Sequence, residues 1–236
     1  RRNIRCRRRR RRRAPVPAPA RPWQQLLKLL LHSPNLSMNY EDIPRPSALF
    51  TVAIDLPEEV TESLEQICVG LPGARWTDPE QYHLTLRFIG EVDGLVYRDI
   101  EAGLAEVEFE PFTLTLQSFG HFPPRGEPKV LWAGVTPTDS IEPLRRAVDR
   151  VVNGAGVKPE RRKFSPHVTV ARFPYGAPIQ RLQRFLAGHA LYRSEPFVVE
   201  SFHLYSSQLH QDGALHSLEA SYGPSPQEDD DWLRSF

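Results

Sequence analysis

Cysteine is nearly absent from the 236 residues, with only Cys6 and Cys68 present. One sits in a basic leader and the other within a helical pattern. That excludes a disulfide framework and a cysteine metal site, and Cys68 reads as a small buried hydrophobe. Long apolar runs are missing as well. The run Leu26-Leu27-Lys28-Leu29-Leu30-Leu31 is far shorter than the roughly 20 residues a membrane-spanning helix needs, so no membrane partner is expected and the body reads as cytoplasmic. The sequence also lacks a glycine-rich phosphate loop of the P-loop type, so nucleoside-triphosphate use is not indicated. Its histidines lack the spacing of zinc ligands. No metal and no other cofactor is expected.

Acidic residues are wholly absent from residues 1–37, which carry eleven arginines and Lys28. The formal charge of +1 therefore conceals a body with 18 basic against 29 acidic side chains. So acidic a body excludes coating long nucleic acid through a general basic surface; RNA would have to be handled at a small local site. The leader, 1–37, combines an Arg tract with Ala14-Pro15-Val16-Pro17-Ala18-Pro19 and is expected to be disordered. The only Met is Met38, so the leader reads as lying outside the native protein, with RNA tethering or a transit peptide as its functional alternatives. A globular domain is expected over 38–222, followed by a solvated acidic tail, 223–236, containing Gln227-Glu228-Asp229-Asp230-Asp231.

What the body does contain is a repeat. Two apolar strands, Leu49–Ile54 and Val130–Val135, are each followed by a helix start and an apolar helical stripe: Val60, Leu64, Ile67 and Cys68 in the first half, Leu144, Val148, Val151 and Val152 in the second. Asp55 and the segment Thr138-Asp139-Ser140-Ile141-Glu142-Pro143 are expected to cap those helices. The strands His83-Leu84-Thr85-Leu86 and His167-Val168-Thr169-Val170 come next, then a helical segment. The tripeptide Glu-Pro-Phe then recurs at 110–112 and 195–197 to open strands Phe112–Phe119 and Phe197–Tyr205. The common order and spacing argue for duplication. The expected fold is α+β, two alike lobes whose antiparallel sheets face a central cleft with helices outside.

Residues i and i+2 of a strand share a face, so His83 and Thr85 project together, as do His167 and Thr169, while Leu84, Leu86, Val168 and Val170 face the core. Two imidazoles and two hydroxyls aimed into one cleft suit in-line displacement at a phosphodiester, which needs a base, an acid and hydrogen-bond donors for the phosphate oxygens. A lone His at a strand position is usually a surface or satisfied core residue. Duplication in equivalent places is what makes the chemical reading the stronger one. The pseudo-symmetric sequence leaves open which histidine is acid and which is base. By the same alternation Arg87, at i+4 from His83, falls on the catalytic face. Arg172, at i+5 from His167, falls on the opposite face unless a bulge intervenes. Trp132, aligned by spacing with Phe50, reads as aromatic core, with stacking on a base as its functional alternative.

The segments His83-Leu-Thr-Leu-Arg-Phe-Ile-Gly90 and Pro166-His-Val-Thr-Val-Ala-Arg172 resemble those of the 2H phosphoesterase superfamily, in particular the RNA 2',3'-cyclic phosphodiesterases once called 2'-5' RNA ligases. The likeness covers about residues 47–222 and includes Phe50-x-Val-Ala-Ile-Asp-Leu-Pro57, Lys129-Val-Leu-Trp132 and Phe202-His-Leu-Tyr-Ser206. It implies hydrolysis of an RNA terminal 2',3'-cyclic phosphate to a 2'-phosphate without a metal. His83 would be the proton donor and His167 the proton acceptor, Thr85 and Thr169 would hold the phosphate, and Arg172 stands where the family has an arginine. The expected partners are RNA ends or oligonucleotides bearing the cyclic phosphate, and the expected state is a monomer. The rival readings are a phosphodiesterase for small cyclic nucleotides, 2'-5' RNA ligation, and, from another class, a non-catalytic RNA-end or nucleotide binding module.

Overall fold

The computed structural model describes residues 48–210 and 213–223. The chain divides into two units, Arg1–Pro44 and Arg45–Phe236, and every described residue belongs to the second. The leader expected over 1–37 lies outside the described residues, as does the expected acidic tail beyond Gly223.

The strands are β1 (Leu49–Asp55), β2 (Arg75–Trp76), β3 (His83–Gly90), β4 (Phe112–Phe122), β5 (Val130–Thr136), β6 (His167–Arg172), β7 (Phe197–Val199), β8 (Phe202–His210) and β9 (Gly213–Tyr222). The helices are α1 (Glu58–Ile67), α2 (Gly94–Ala105), α3 (Glu142–Gly154) and α4 (Ile179–Gly188). The fold is α+β, with a sheet of order β3-β1-β8-β9 in one lobe and β7-β4-β5-β6 in the other. The two motif strands β3 and β6 lie side by side, paired antiparallel at Leu84 and Val168, so the two sheets form one continuous path. In consequence both histidine motifs stand at the seam.

The lobes are not the two halves of the sequence. β4, which ends the first half, pairs with β5; β8, from the second half, pairs with β1 and carries β9 with it. Each half thus lends its closing strand or strands, β4 from the first and β8 with β9 from the second, to the other lobe. The second Glu-Pro-Phe strand, expected to run unbroken from Phe197 to Tyr205, is instead interrupted at Glu200 and Ser201. β7 stays on β4, and β8 crosses to β1. In the first copy β4 runs unbroken, its first three residues on β7 and the rest on β5.

The helical stripes are buried as the 3.6-residue period requires: Val60 and Leu64 from α1, Leu144, Val148 and Val152 from α3, and Leu182 and Phe185 from α4. Each such side chain taken fully out of water contributes about 2 kcal/mol before entropy is counted. Cys68 closes α1 in the core, and burial pushes its thiol up to about 11, so it is chemically quiet there. The expected side-chain caps are not formed. Pro57 and Ile141 occupy the two N-cap positions without a side-chain hydrogen bond. The carboxylate of Asp55 is taken up elsewhere, accepting a 2.6 Å hydrogen bond from the Tyr205 hydroxyl.

β9 is separated from β3 by β1 and β8, yet the His216 ring centroid on β9 lies 5.4 Å from that of His83 on β3. Only a strongly curled sheet brings them together, and its concave face is the one that carries the motif histidines.

Candidate active site

His83 and His167 each sit at the first residue of a strand, half-buried, and each is oriented the same way. The Nδ1 of His83 is 2.9 Å from the carbonyl of Gln81, and the Nδ1 of His167 is 2.7 Å from the carbonyl of Ser165. A carbonyl can only accept, so in both rings Nδ1 carries the hydrogen and Nε2 is the free, basic nitrogen turned away from the backbone. Thr85 and Thr169 follow two residues on, on the same faces and half-buried, while Leu84, Leu86, Val168 and Val170 are buried in the core. The alternation expected over these four-residue motifs is observed.

Beyond the motifs the alternation breaks at the same place in each copy, and β3 carries a further register shift at Ile89. Thr85 pairs with Ala53, but the next pair on β1 is Val52 with Arg87, leaving Leu86 without a partner. Thr169 pairs with Trp132, but the next pair on β5 is Leu131 with Ala171, leaving Val170 without one. Each extra residue is a bulge that reverses the facing of the residues next after it. Arg172 is thereby returned to the face of His167 and Thr169, exposed, and its charge is felt by His83, His167 and His216. Arg87 is carried the other way, which overturns its expected place on the catalytic face. It is 4% exposed, its Nη2 donates 3.2 Å to Asn153 Oδ1 and 2.6 Å to the Lys158 carbonyl, and its Nη1 lies 3.5 Å from Asp149. Those partners belong to α3 and the loop after it, so Arg87 is a structural clamp.

The pairings also correct the position of Trp132 in the repeat. Both Trp132 and Ala53 stand opposite a motif threonine, so Ala53, not Phe50, is its counterpart. Ala53 precedes His83 by 30 residues and Trp132 precedes His167 by 35, and that longer connection in the second half misled the spacing. Trp132 is half-buried as a wall beside His167, with ring centroids 6.2 Å apart, and Phe122 packs against both at 5.3 and 4.9 Å. The indole lies against Gly120, where a Cβ would come within 2.3 Å of the ring. Its Nε1–H is buried with no partner.

Several site residues were invisible in the sequence because they arrive on β8 and β9. Tyr205 stacks toward His83 at 6.5 Å between centroids, His203 lies 6.1 Å from Tyr205, and its Nε2 is 3.7 Å from Asp55 Oδ2. His216 tilts against His83. The segment Phe202-His-Leu-Tyr-Ser206 in the family likeness was the sequence signal that could have found Tyr205, whose place on β8 across β1 matches that of Phe122 on β4 across β5. Arg75 was also missed. It stands directly opposite Arg172 in the β2–β6 pair, and neither arginine has an ion-pair partner among the described residues.

Burial lowers the pKa of both motif histidines. For His83 the bond to Gln81 and the Asp55 carboxylate act against that, with Arg172 adding to it. For His167 the bond to Ser165 opposes it, while His83 and Arg172 both add to it. His216 is lowered by burial, His83 and Arg172. Three imidazoles and an arginine within electrostatic reach form a cationic cluster when protonated, suited to an anion. Among the described residues, no group of three or more His, Cys, Asp and Glu side chains is disposed to hold a metal ion, and no helix is long and apolar enough to cross a membrane.

Known proteins resemble this chain in sequence and in fold. The family model "LigT like Phosphoesterase" fits residues 54–132 and again 135–216. The RNA 2',3'-cyclic phosphodiesterase of Aeropyrum pernix is 33% identical over 148 residues, covering 62% of this chain and 84% of that protein. The one from Thermotoga maritima is 31% identical over 173 residues, covering 71% and 90%. Among solved structures, TT0787 of Thermus thermophilus superposes with a TM-score of 0.62 at 27% identity, covering 74% of this chain and 97% of that one.

Proposed function

The chain belongs to the LigT-like phosphoesterase family, and from that premise we propose that it hydrolyses RNA terminal 2',3'-cyclic phosphates to 2'-phosphates by two-histidine acid–base catalysis. The observation that carries this reading is the matched locking of His83 and His167, each with Nδ1 tied to a carbonyl two residues back and Nε2 free. A binding module would have no use for two rings held alike, each with Nε2 turned outward, within reach of each other's charge.

In this mechanism a water attacks phosphorus in line with the P–O3' bond. His167 Nε2 takes the water's proton as the new P–O bond forms. The Nε2–H of protonated His83 gives its proton to O3' as the P–O3' bond breaks, leaving a 2'-phosphate and a free 3'-hydroxyl. Arg172 and the Thr85 and Thr169 hydroxyls hold the non-bridging oxygens where charge is carried. The product decides the polarity. Mass and chromatographic analysis of a cyclic-phosphate RNA oligonucleotide, run beside cyclic mononucleotides and with and without EDTA, is expected to give a 2'-phosphate irrespective of chelator. A 3'-phosphate product would contradict the assigned direction, loss with EDTA would restore a metal, and turnover of the mononucleotides alone would move the substrate class.

The pH dependence follows with a definite sign. His167 must be neutral, so activity is lost as pH falls through its pKa; His83 must be protonated, so activity is lost as pH rises through its own. Both are pushed below the ordinary 6.5 in the free protein. The bell for kcat/KM, whose limbs belong to the coupled pair, is therefore expected to lie on the acid side of neutrality. A bound phosphate anion favours the charged imidazoles, so the bell for kcat should lie at higher pH. Full profiles of both parameters check this, and a kcat/KM optimum well above neutrality would refute it.

A further inference from the structure

The two catalytic halves are near-copies, yet a general acid and a general base must differ. The difference is found in one pair of matching positions. Opposite His83 on β1 stands Asp55; opposite His167 on β5 stands Gly134. Residues directly opposite in adjacent strands put their side chains on one face within about 4.5–5.5 Å at Cβ, so Asp55 shares the face of His83. No carboxylate could occupy the matching place, because a Cβ at Gly134 would come within 2.7 Å of the Gln117 carbonyl oxygen. The acidic group can exist in one half only.

Asp55 is also held. Tyr205, from the strand lent by the other half of the chain, donates a 2.6 Å hydrogen bond to Asp55 Oδ2. His203 approaches the same oxygen at 3.7 Å, with its Nδ1 2.9 Å from the Ser221 hydroxyl and its Nε2 3.2 Å from that of Ser201. We propose that Asp55, fixed by Tyr205, is a positioning residue that keeps the proton on His83 and so makes His83, rather than His167, the general acid. This rests on the reading of the pair as acid and base and supplies its missing asymmetry. The charged and titratable groups around His83 are Asp55 on β1, Tyr205 and His203 on β8, His216 on β9, and His167 and Arg172 on β6. Of these Asp55 is the sole anion, and it acts on His83 against burial, whereas no carboxylate acts on His167.

The test is titration of the imidazole nitrogens by NMR on the full chain without substrate, the two rings being assigned through His83→Gln and His167→Gln. Asp55→Asn is expected to lower the titration midpoint of His83 and leave that of His167 nearly in place. Tyr205→Phe, which keeps the ring and frees the carboxylate, should move His83 the same way by less. In kinetics Asp55→Asn should keep KM, lose roughly tenfold in kcat at pH 8 and recover toward acid pH, because the general acid His83 now deprotonates at lower pH and draws the alkaline limb downward. A purely structural role would lower activity equally at all pH values. An unmoved or raised His83 midpoint in Asp55→Asn, or an equal fall in His167, would overturn the proposal. Absence of turnover by the wild type on any cyclic phosphate would instead sink the functional reading, and the titration would still decide the role of Asp55.

Discussion

Substituting alanine for His83 or for His167 is expected to lower kcat on a cyclic-phosphate RNA end by about 10³-fold or more, and combining the two should cost little beyond the worse single change. The cause is geometric. In-line hydrolysis moves two protons in one displacement, one off the water and one onto O3', and each needs a nitrogen at its own side of phosphorus. With one nitrogen gone, the other still awaits a partner, so the two losses do not multiply. Neither change should unfold the protein. Both rings are half-buried at strand starts and each forfeits one hydrogen bond to a backbone carbonyl, worth roughly 1 kcal/mol. Single-turnover rates of both single variants and the double, set against their thermal melts, measure this. Substantial activity in either single variant would refute the mechanism. A double variant losing the product of both single losses would show two independent contributions in place of one coupled step.

How much of this site could be read from the sequence depends on whether its causes are local. The facing of His83 with Thr85, and of His167 with Thr169, follows from the two-residue pleat over a motif of four residues, and the sequence alone sufficed. The duplication was legible because it repeats punctuation: apolar strand, helix, motif strand, Glu-Pro-Phe. What was hidden came from the tertiary arrangement. Nothing in Leu86 or Val170 announces a bulge, since the extra residue is defined only by the partner strand that skips it. Asp55 looks like a helix cap because an acidic residue before Pro57-Glu58 ordinarily is one. Its real partner, Tyr205, lies 150 residues away and reaches it only because β8 is lent to the opposite lobe. His203 and His216 seemed ungrouped in sequence for the same reason. Even Trp132 was matched to Phe50 by counting, when hydrogen-bond register matches it to Ala53.

The arginines turn that lesson into the second large prediction, with opposite outcomes for two residues that the sequence offered alike as substrate contacts. Arg87→Met is expected to destabilise the fold by about 3 kcal/mol, since breaking a buried charge pair by removing one partner leaves the other uncompensated. Asp149 retains Arg145 at 3.0 Å, which holds the loss near the lower end of that range. The lost hydrogen bonds to Asn153 and the Lys158 carbonyl add to it, as both tie β3 to the end of α3. For a domain of this size the melting temperature should fall by roughly 6–12 °C, while kcat/KM of the protein still folded at a lower temperature stays near wild type. Arg172→Gln should do the reverse. Its guanidinium is exposed and without an ion-pair partner among the described residues, so the melting temperature should barely move. The loss of charge beside the phosphate should reduce kcat/KM by roughly 10²-fold. Because the same kind of bulge turns one arginine into the helices and the other into the cleft, a single pair of variants tests it. Equal effects of both variants on melting, or a catalytic loss confined to Arg87→Met, would mean that the facing assigned to β3 and β6 is wrong.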